Sequence, residues 1–385
     1  MSKRRVLAIT AIRSEYYLQR SILRAITDHP ELELSLIVTG AHLSPLHDYT
    51  VKEVEADGFP IVERIENLLY SNRDAARLKG AAIQFQALAQ VVDIRRPDWL
   101  LLPGDREETI TLGLCGAYLG LAMAHYAAGD RVVGNVDDMI RHSVSRLSHL
   151  LLTTNEDARQ RLIKAGEEEW RVKTVGHSGL DRMRQAEPMT REQMAHELGV
   201  SEVAKDYVVV IQHPLSSEWQ EAGKEMKETM EALRGSGLQI FVSYPNSDPG
   251  ADKIIGVIEE YRSDPRVNIF RNIPDGPFVN LLRNAAALVG NSSMGLLEAP
   301  YLKLPVINVG RRQSNRHHAE NVFFVPAERA RIAQQLRDIM ENPATQEAIR
   351  NCANPFGDGH TGERVAELLA TTPIDSKLLN KDLSY

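Results

Sequence analysis

Acids, histidines and arginines in this chain recur just after short runs of Val, Ile and Leu. Arg5–Thr10 leads to Arg13, Leu34–Thr39 to His42, and Trp99–Pro103 to Asp105 and Arg106. Met123–Tyr126 runs into HYAAGD, with His125 and Asp130, and the following NVDDMIRH adds Asp137, Asp138, Arg141 and His142. Further on, Tyr207–Ile211 ends at His213, Gln239–Tyr244 at Asn246 and Asp248, and Val267–Phe270 at Arg271 and Asn272. Ala287–Val289 leads to Ser292 and Ser293, and Pro305–Val309 to Arg311 and Arg312. Arginines and helix starts suit a diphosphate, while Asp and His can move protons. A lone polar residue at a strand end is more often a cap or loop residue. The coincidence of many is what points to a site, because parallel α/β sheets bind ligands outside the carboxyl ends of their strands.

The stretch ALVGNSSMGLLEAPYL, 287–302, reads as a strand, a small-residue turn and a helix start. Unpaired N–H groups there, the helix dipole and two hydroxyls favour a phosphate, and Glu298 lies where a carboxylate could accept from ribose hydroxyls. An ordinary Ser cap fits the same residues, since Asn and Ser are preferred caps with or without a ligand.

Positioning these residues requires β-like runs alternating with helix-like ones, the pattern of a mainly parallel sheet wrapped by helices. Helices are expected at 15–28, 74–92, 107–119 and 135–147, and from Asn155 to a stop at Gly166. In the second half Thr190 opens one with Gln193 completing a capping box, and others follow near 218–234, 252–262, 278–285, 293–302 and 327–341. The fold expected is α/β with two Rossmann-like domains. The first spans 1–170, with a C-terminal helix at about 355–371 packing back on it, and the second spans 171–354. Residues 373–385 lack periodicity and are expected to fray.

A length of 385 residues accommodates two cores, and 43% hydrophobic with 25% charged residues is ordinary for a globular protein. The net charge of −7 argues against a general nucleic-acid binder while leaving room for a local basic cleft. Cys115 and Cys352 are too few for a disulfide framework. No signal peptide or membrane span is expected, so the cytoplasm is the default. With neither HExxH nor CxxC present, no metal or redox cofactor is expected.

At GDRE (104–107), VDDMIRH (136–142), QHP (212–214), GNSSMGLLE (290–298) and PVINVGRRQ (305–313) the sequence resembles the hydrolysing UDP-N-acetylglucosamine 2-epimerases. TAIRSEY, VTGAHL and YPNSDPGAD extend the resemblance over almost the whole chain. It implies a GT-B-like pair of domains with a UDP-sugar in the interdomain cleft, and a homodimer. It also implies elimination of UDP across C1–C2 to a glycal, then hydration to a free manno-configured N-acetyl sugar, a precursor of sialic or other nonulosonic acids. By matching position, Asp105 and Asp137 become the acid/base pair, backed by Asp130 and Asp138, with His42 and His142 as helpers. The same pattern assigns the nucleotide to Arg13, Arg106, His213, Asn246, Ser292, Ser293, Glu298 and Arg312, with the backbone near Ile273 contacting the base.

One departure stands out. Relatives commonly carry HxEGGE or HxHGGE where this chain has His125 to Asp130, so Ala127 replaces a group that could transfer a proton. An altered sugar substituent is the favoured explanation, because the surrounding acids are retained. A non-hydrolysing epimerase, a GT-B glycosyltransferase and a non-catalytic nucleotide-sugar binder are the competing functions.

Overall fold

The computed structural model describes residues 3–71, 74–131, 136–246, 248–271, 273–314 and 316–382. The chain divides into two compact units, one made of Met1–Arg182 with Phe356–Tyr385 and the other of Met183–Pro355. The first sheet comprises β1 (Arg4–Thr10), β2 (Leu32–Thr39), β3 (Ile61–Ile65), β4 (Trp99–Pro103), β5 (Ala122–Tyr126), β6 (Leu150–Thr153) and β7 (Val172–Thr174), in the order β3-β2-β1-β4-β5-β6-β7. The second comprises β8 (Tyr207–Ile211), β9 (Gln239–Ser243), β10 (Val267–Phe270), β11 (Ala287–Gly290), β12 (Val306–Val309) and β13 (Val322–Val325), in the order β10-β9-β8-β11-β12-β13. All pairings are parallel. Each sheet therefore reverses its winding once, between β1 and β4 and between β8 and β11, the doubly wound arrangement expected from the alternation.

A parallel sheet is covered on both faces, so its central strands are apolar on both. In β1, Val6 and Ala8 pack into one core layer with Trp99 and Leu101, while Leu7 and Ile9 pack into the other with Leu100 and Leu102. Edge strands β3 and β13 escaped the sequence reading. VERI of β3 carries two charged residues, and only Ile65 of that strand is fully buried, so its apolar signal is weak. Val172–Thr174 pairs with β6, and this strand and the helix Gly179–Gln185 that begins after it extend the first unit to Arg182 rather than 170.

Local signals behave as their chemistry predicts. The Asn155 side chain accepts from Ala158 N, and Thr190 with Gln193 forms a complete capping box. The helix expected from Asn135 is described from Val136 to Leu147; Asn135 itself, like Asn272, lies outside the described residues. Helix Thr361–Thr371 packs on helix Arg13–Asp28, where a Cβ on Gly362 would stand 2.6 Å from the Ser21 carbonyl oxygen. The Asp181 carboxylate accepts from Thr361 N at 2.9 Å and Gly362 N at 2.7 Å, an anion at a helix start.

The expected fraying after Pro373 does not occur through residue 382. Asp375 caps a short helix, Ser376–Leu379, and Leu378 is buried in the core. The fully buried Arg171 donates to the carbonyls of Leu378 at 2.7 Å and Lys377 at 2.9 Å. Such anchoring by distant side chains leaves no trace in local periodicity. Among the described residues, no helix is long and apolar enough to cross a membrane.

Candidate active site

In the first unit, the winding reversal places the loops after β1 and β4 side by side. Gly104, at φ +62°, turns the chain out of β4 and presents Asp105 and Arg106. The buried ring of His125 fixes that turn: Nε2 donates to the Gly104 carbonyl at 2.7 Å, and Nδ1 accepts from Ser145 Oγ at 3.0 Å. Burial lowers the His125 pKa to about 3, so the imidazole is neutral and this tautomer follows from the carbonyl partner.

Arg141, one helical turn after Asp137 on helix Val136–Leu147, organises the acids. Its Nη2 pairs with Asp105, its Nη1 donates to the Ala127 carbonyl at 2.7 Å, and Nη1 lies 3.9 Å from Asp130. Asp130 also accepts from Thr154 Oγ1 at 2.7 Å. Burial, and next the charge of Asp105, raises the Asp137 pKa, while Arg77 at 3.7 Å pulls it back. Burial and a neighbouring carboxylate thus favour the protonated form of Asp137, the condition for an acid. Ala127 has φ +59°, a left-handed conformation that a side chain tolerates poorly, and its carbonyl serves Arg141.

The other first-unit candidates stand in the following surroundings. Arg106 Nε lies 3.2 Å from Glu108 and 4.0 Å from Glu15, and Nη2 lies 3.6 Å from Glu107, so its charge is met from within the unit rather than held open for phosphate. His42 is fully buried with Nδ1 2.7 Å from Thr50 Oγ1 and Nε2 3.2 Å from Thr10 Oγ1. Both nitrogens are engaged and burial lowers its pKa to about 4, which suits a structural role, not a proton helper. His142 sits on the partly exposed side of its helix, 3.8 Å from Asp138. Arg13 keeps its guanidinium half-exposed, with Nε 3.2 Å from Glu53.

Glu15, Glu107, Glu108 and Arg77, which the strand-end pattern did not single out, share this network of charges. Burial, and then the charge of Glu108, raises the Glu15 pKa well above its ordinary value, with Arg106 opposing. Burial also acts to raise Glu107, but hydrogen bonds from Arg77 at 2.6 to 3.0 Å outweigh it and lower its pKa. The signal for Glu15 was in TAIRSEY, two residues after Arg13; Arg77 carries none, because its partner is 30 residues away.

In the second unit the loops after β8 and β11 meet at the corresponding reversal. Gly290, at φ +130°, permits an approach no other residue could make: a Cβ there would lie 2.1 Å from the Ile211 carbonyl oxygen. Asn291 then joins the loops, accepting from His213 N at 2.7 Å and donating to His213 O at 2.9 Å. The His213 Nδ1 accepts from Asn246 N at 3.0 Å. Burial, then Arg312, lowers its pKa to about 4, so the ring is neutral with its proton on Nε2, a donor aimed by backbone. Arg312 and Gln313 donate to the Asn291 carbonyl at 3.1 and 2.9 Å. Arg311, 71% exposed, pairs with Glu218 instead.

The helix expected at 293–302 is a single turn, Met294–Leu297, followed by a 3-10 turn at Ala299–Leu302. One turn carries little macrodipole, and the Ser293 side chain makes no cap. The Ser292 hydroxyl is 3.4 Å from Met294 N, Glu298 is buried at the end of the turn, and Ile273 packs on the second unit's core. Asn246 donates to Asp248 at 2.6 Å.

Residues 24–370 match the UDP-N-acetylglucosamine 2-epimerase family. The chain belongs to that family. It is 34% identical over 99% of its length to all of a Legionella pneumophila protein named UDP-N,N'-diacetylbacillosamine 2-epimerase (hydrolyzing). A Campylobacter jejuni protein named GDP/UDP-N,N'-diacetylbacillosamine 2-epimerase (hydrolyzing) is 30% identical over 84% of each chain. The crystal structure of a Neisseria meningitidis UDP-GlcNAc 2-epimerase bound to UDP-GlcNAc superimposes with a TM-score of 0.77 at 18% identity, covering 95% of this chain and 99% of that one. The GT-B-like fold expected from the motifs is thus shared by a family member that binds a nucleotide sugar.

Proposed function

We propose that the protein is a hydrolysing 2-epimerase acting on a UDP-2-acetamido sugar that carries a second acetamido group, as in UDP-N,N'-diacetylbacillosamine. The observation that carries this reading is the pairing of Asp105, held by Arg141, with Asp137, whose pKa burial and Asp105 raise. Asp105 takes the C2 proton as the C1–O bond to UDP breaks, leaving a C1–C2 double bond. Asp137 returns a proton to C2 on the opposite face and takes one back from the water that adds at C1, while the proton on Asp105 passes to solvent. The balance is UDP-sugar plus water giving UDP and the free 2-epimer, a precursor class for nonulosonic acids. Asp130 and Asp138 support the proton traffic.

The neutral Nε2–H of His213, Arg312, the hydroxyls of Ser292 and Ser293, and Asn246 take the diphosphate. Glu298 takes the ribose, and the backbone at Ile273 the base. The two hydrolysing relatives support the choice of sugar, and Ala127, with only a methyl where relatives commonly carry Glu or His, supports an altered sugar pocket. A cytoplasmic homodimer accompanies the reading, on family grounds, and sedimentation of the purified protein tests the dimer.

The deciding experiment is NMR of the reaction with UDP-GlcNAc and with UDP-N,N'-diacetylbacillosamine in D2O. Release of UDP with a free manno-configured sugar deuterated at C2 is expected, faster with the diacetamido substrate. A UDP-linked manno product would favour a non-hydrolysing epimerase. Binding without UDP release would favour a non-catalytic binder.

A further inference from the structure

Lys381 lies outside every motif of the sequence reading, yet its ammonium is buried, with its side chain 8% exposed. Its Nζ donates to the carbonyls of Ser145 at 2.8 Å, Arg146 at 3.1 Å and Ser148 at 2.7 Å. It also pairs with the buried Glu167 at 2.7 Å, which Arg146 approaches at 3.3 Å. Those carbonyls close helix Val136–Leu147, whose first turn carries Asp137 and Asp138. A cation at a helix C-terminus satisfies the last carbonyls and complements the dipole.

We propose that Lys381 is a positioning residue for the carboxylates at the edge of the first sheet. Two routes run from it. Through the helix it sets Asp137, Asp138 and Arg141, and Arg141 in turn holds Asp105. Through Ser145 it sets the donor to His125, which fixes the Gly104 carbonyl next to Asp105. The segment that delivers Lys381 is itself pinned by Arg171, which donates to the Asn380 carbonyl at 3.2 Å as well as to those of Lys377 and Leu378. A neutral or apolar replacement leaves three carbonyls without this donor and removes one of the cations that face Glu167, and the helix relaxes at that end. Displacing catalytic groups by an ångström costs about 10²-fold in rate.

The inference rests on the proposed reaction, so its test has a readout independent of turnover. In the full-length protein, Lys381→Met is expected to lower kcat about 10- to 100-fold while leaving UDP affinity unchanged, and to raise the kinetic isotope effect with C2-deuterated substrate. Lys381→Arg, which keeps the cation and its donors, is expected to retain most of kcat. Ser145→Ala combined with Lys381→Met should lose less than the product of the single effects, because the two act through one path. Independently, Lys381→Met should speed amide hydrogen exchange in 140–147 and leave 287–297 unchanged.

Unchanged kcat with unchanged exchange in Lys381→Met overturns the proposal. So does a kcat loss matched by an equal loss of UDP affinity, which marks general destabilisation. If the wild-type protein releases no UDP from any sugar, the proposed function falls, and the exchange measurement alone decides whether Lys381 holds the helix.

Discussion

At the winding reversal of the first sheet, carboxylates of Asp105, Glu15, Glu107 and Glu108 face the guanidinium groups of Arg77, Arg106 and Arg141. At the corresponding place in the second sheet stand a neutral imidazole, an amide, small hydroxyls and one half-buried arginine, held by backbone bonds to Asn246 and Asn291. The strand order is the same, and the furnishing differs. A dense set of paired charges shifts pKa values and stores protons, whereas fixed neutral donors recognise an anion without a counter-charge to displace. The proposed function thus assigns two tasks to one scaffold, and the difference lies in the residues beyond the strand ends.

The sharpest way to break this contrast is Asp105→Asn. Turnover is expected to fall by about 10²–10⁴-fold, the usual worth of a general acid or base, with UDP affinity preserved. An equal loss of UDP affinity, by calorimetry, would show that the charged edge also grips the nucleotide. Circular dichroism must accompany it, because the change removes the carboxylate partner of Arg141.

Gly290→Ala strikes the other side. With backbone 2.1 Å from the new Cβ and φ at +130°, the second unit should lose about 3 kcal/mol or more, and nucleotide binding with it. Denaturant unfolding that resolves the two units would detect this, and an unchanged midpoint would contradict the close approach of β11 to β8. Arg312→Ala is milder. It should weaken UDP binding by about 1.5–3 kcal/mol, the worth of a hydrogen bond to a charged group, while the C2-deuterium isotope effect stays as in wild type.

The smallest effect concerns pH. His42, His125 and His149 in the first unit, and His213 in the second, have folded pKa values near 4, 3, 4 and 4 because burial disfavours the cation. Unfolded histidines titrate near 6.5, so between about pH 6.5 and 4 the unfolded chain binds more protons. Histidine-linked stability is therefore complete above about pH 6.5 and falls as pH drops through that window, more steeply for the unit with three. His42→Gln should flatten the slope of the first unit's unfolding free energy in this range, and an unchanged slope would remove His42 from the cause.

Central strands were legible because buried parallel strands are near-continuous runs of Val, Ile and Leu, as in YVVVI and WLLLP. The edge strands β3 and β13 were not, since most of their residues are only partly buried or exposed. Asp105, Asp137, His213 and Asn246 were legible as polar residues at predicted strand ends or in recognisable motifs. The inward turn of Arg106 toward three carboxylates was not, because Glu15 comes from helix Arg13–Asp28, far away in the sequence. The Ser292–Ser293 turn was read correctly as a turn and overread as a long helix, since MGLLEAPYL is apolar enough to continue but Pro300 and the left-handed Lys303 end it.

Sequence by itself determined the α/β class, the parallel strands and the polar residues beyond their carboxyl ends, because side-chain period and turn chemistry are local. Tertiary structure alone decided which charges meet. Arg77 with Glu107, Arg141 with Asp105, and Lys381 with the end of the Asp137 helix join residues 30, 36 and more than 200 apart in sequence. Such pairs are fixed by how helices pack on a sheet, and no local pattern in a single chain records them.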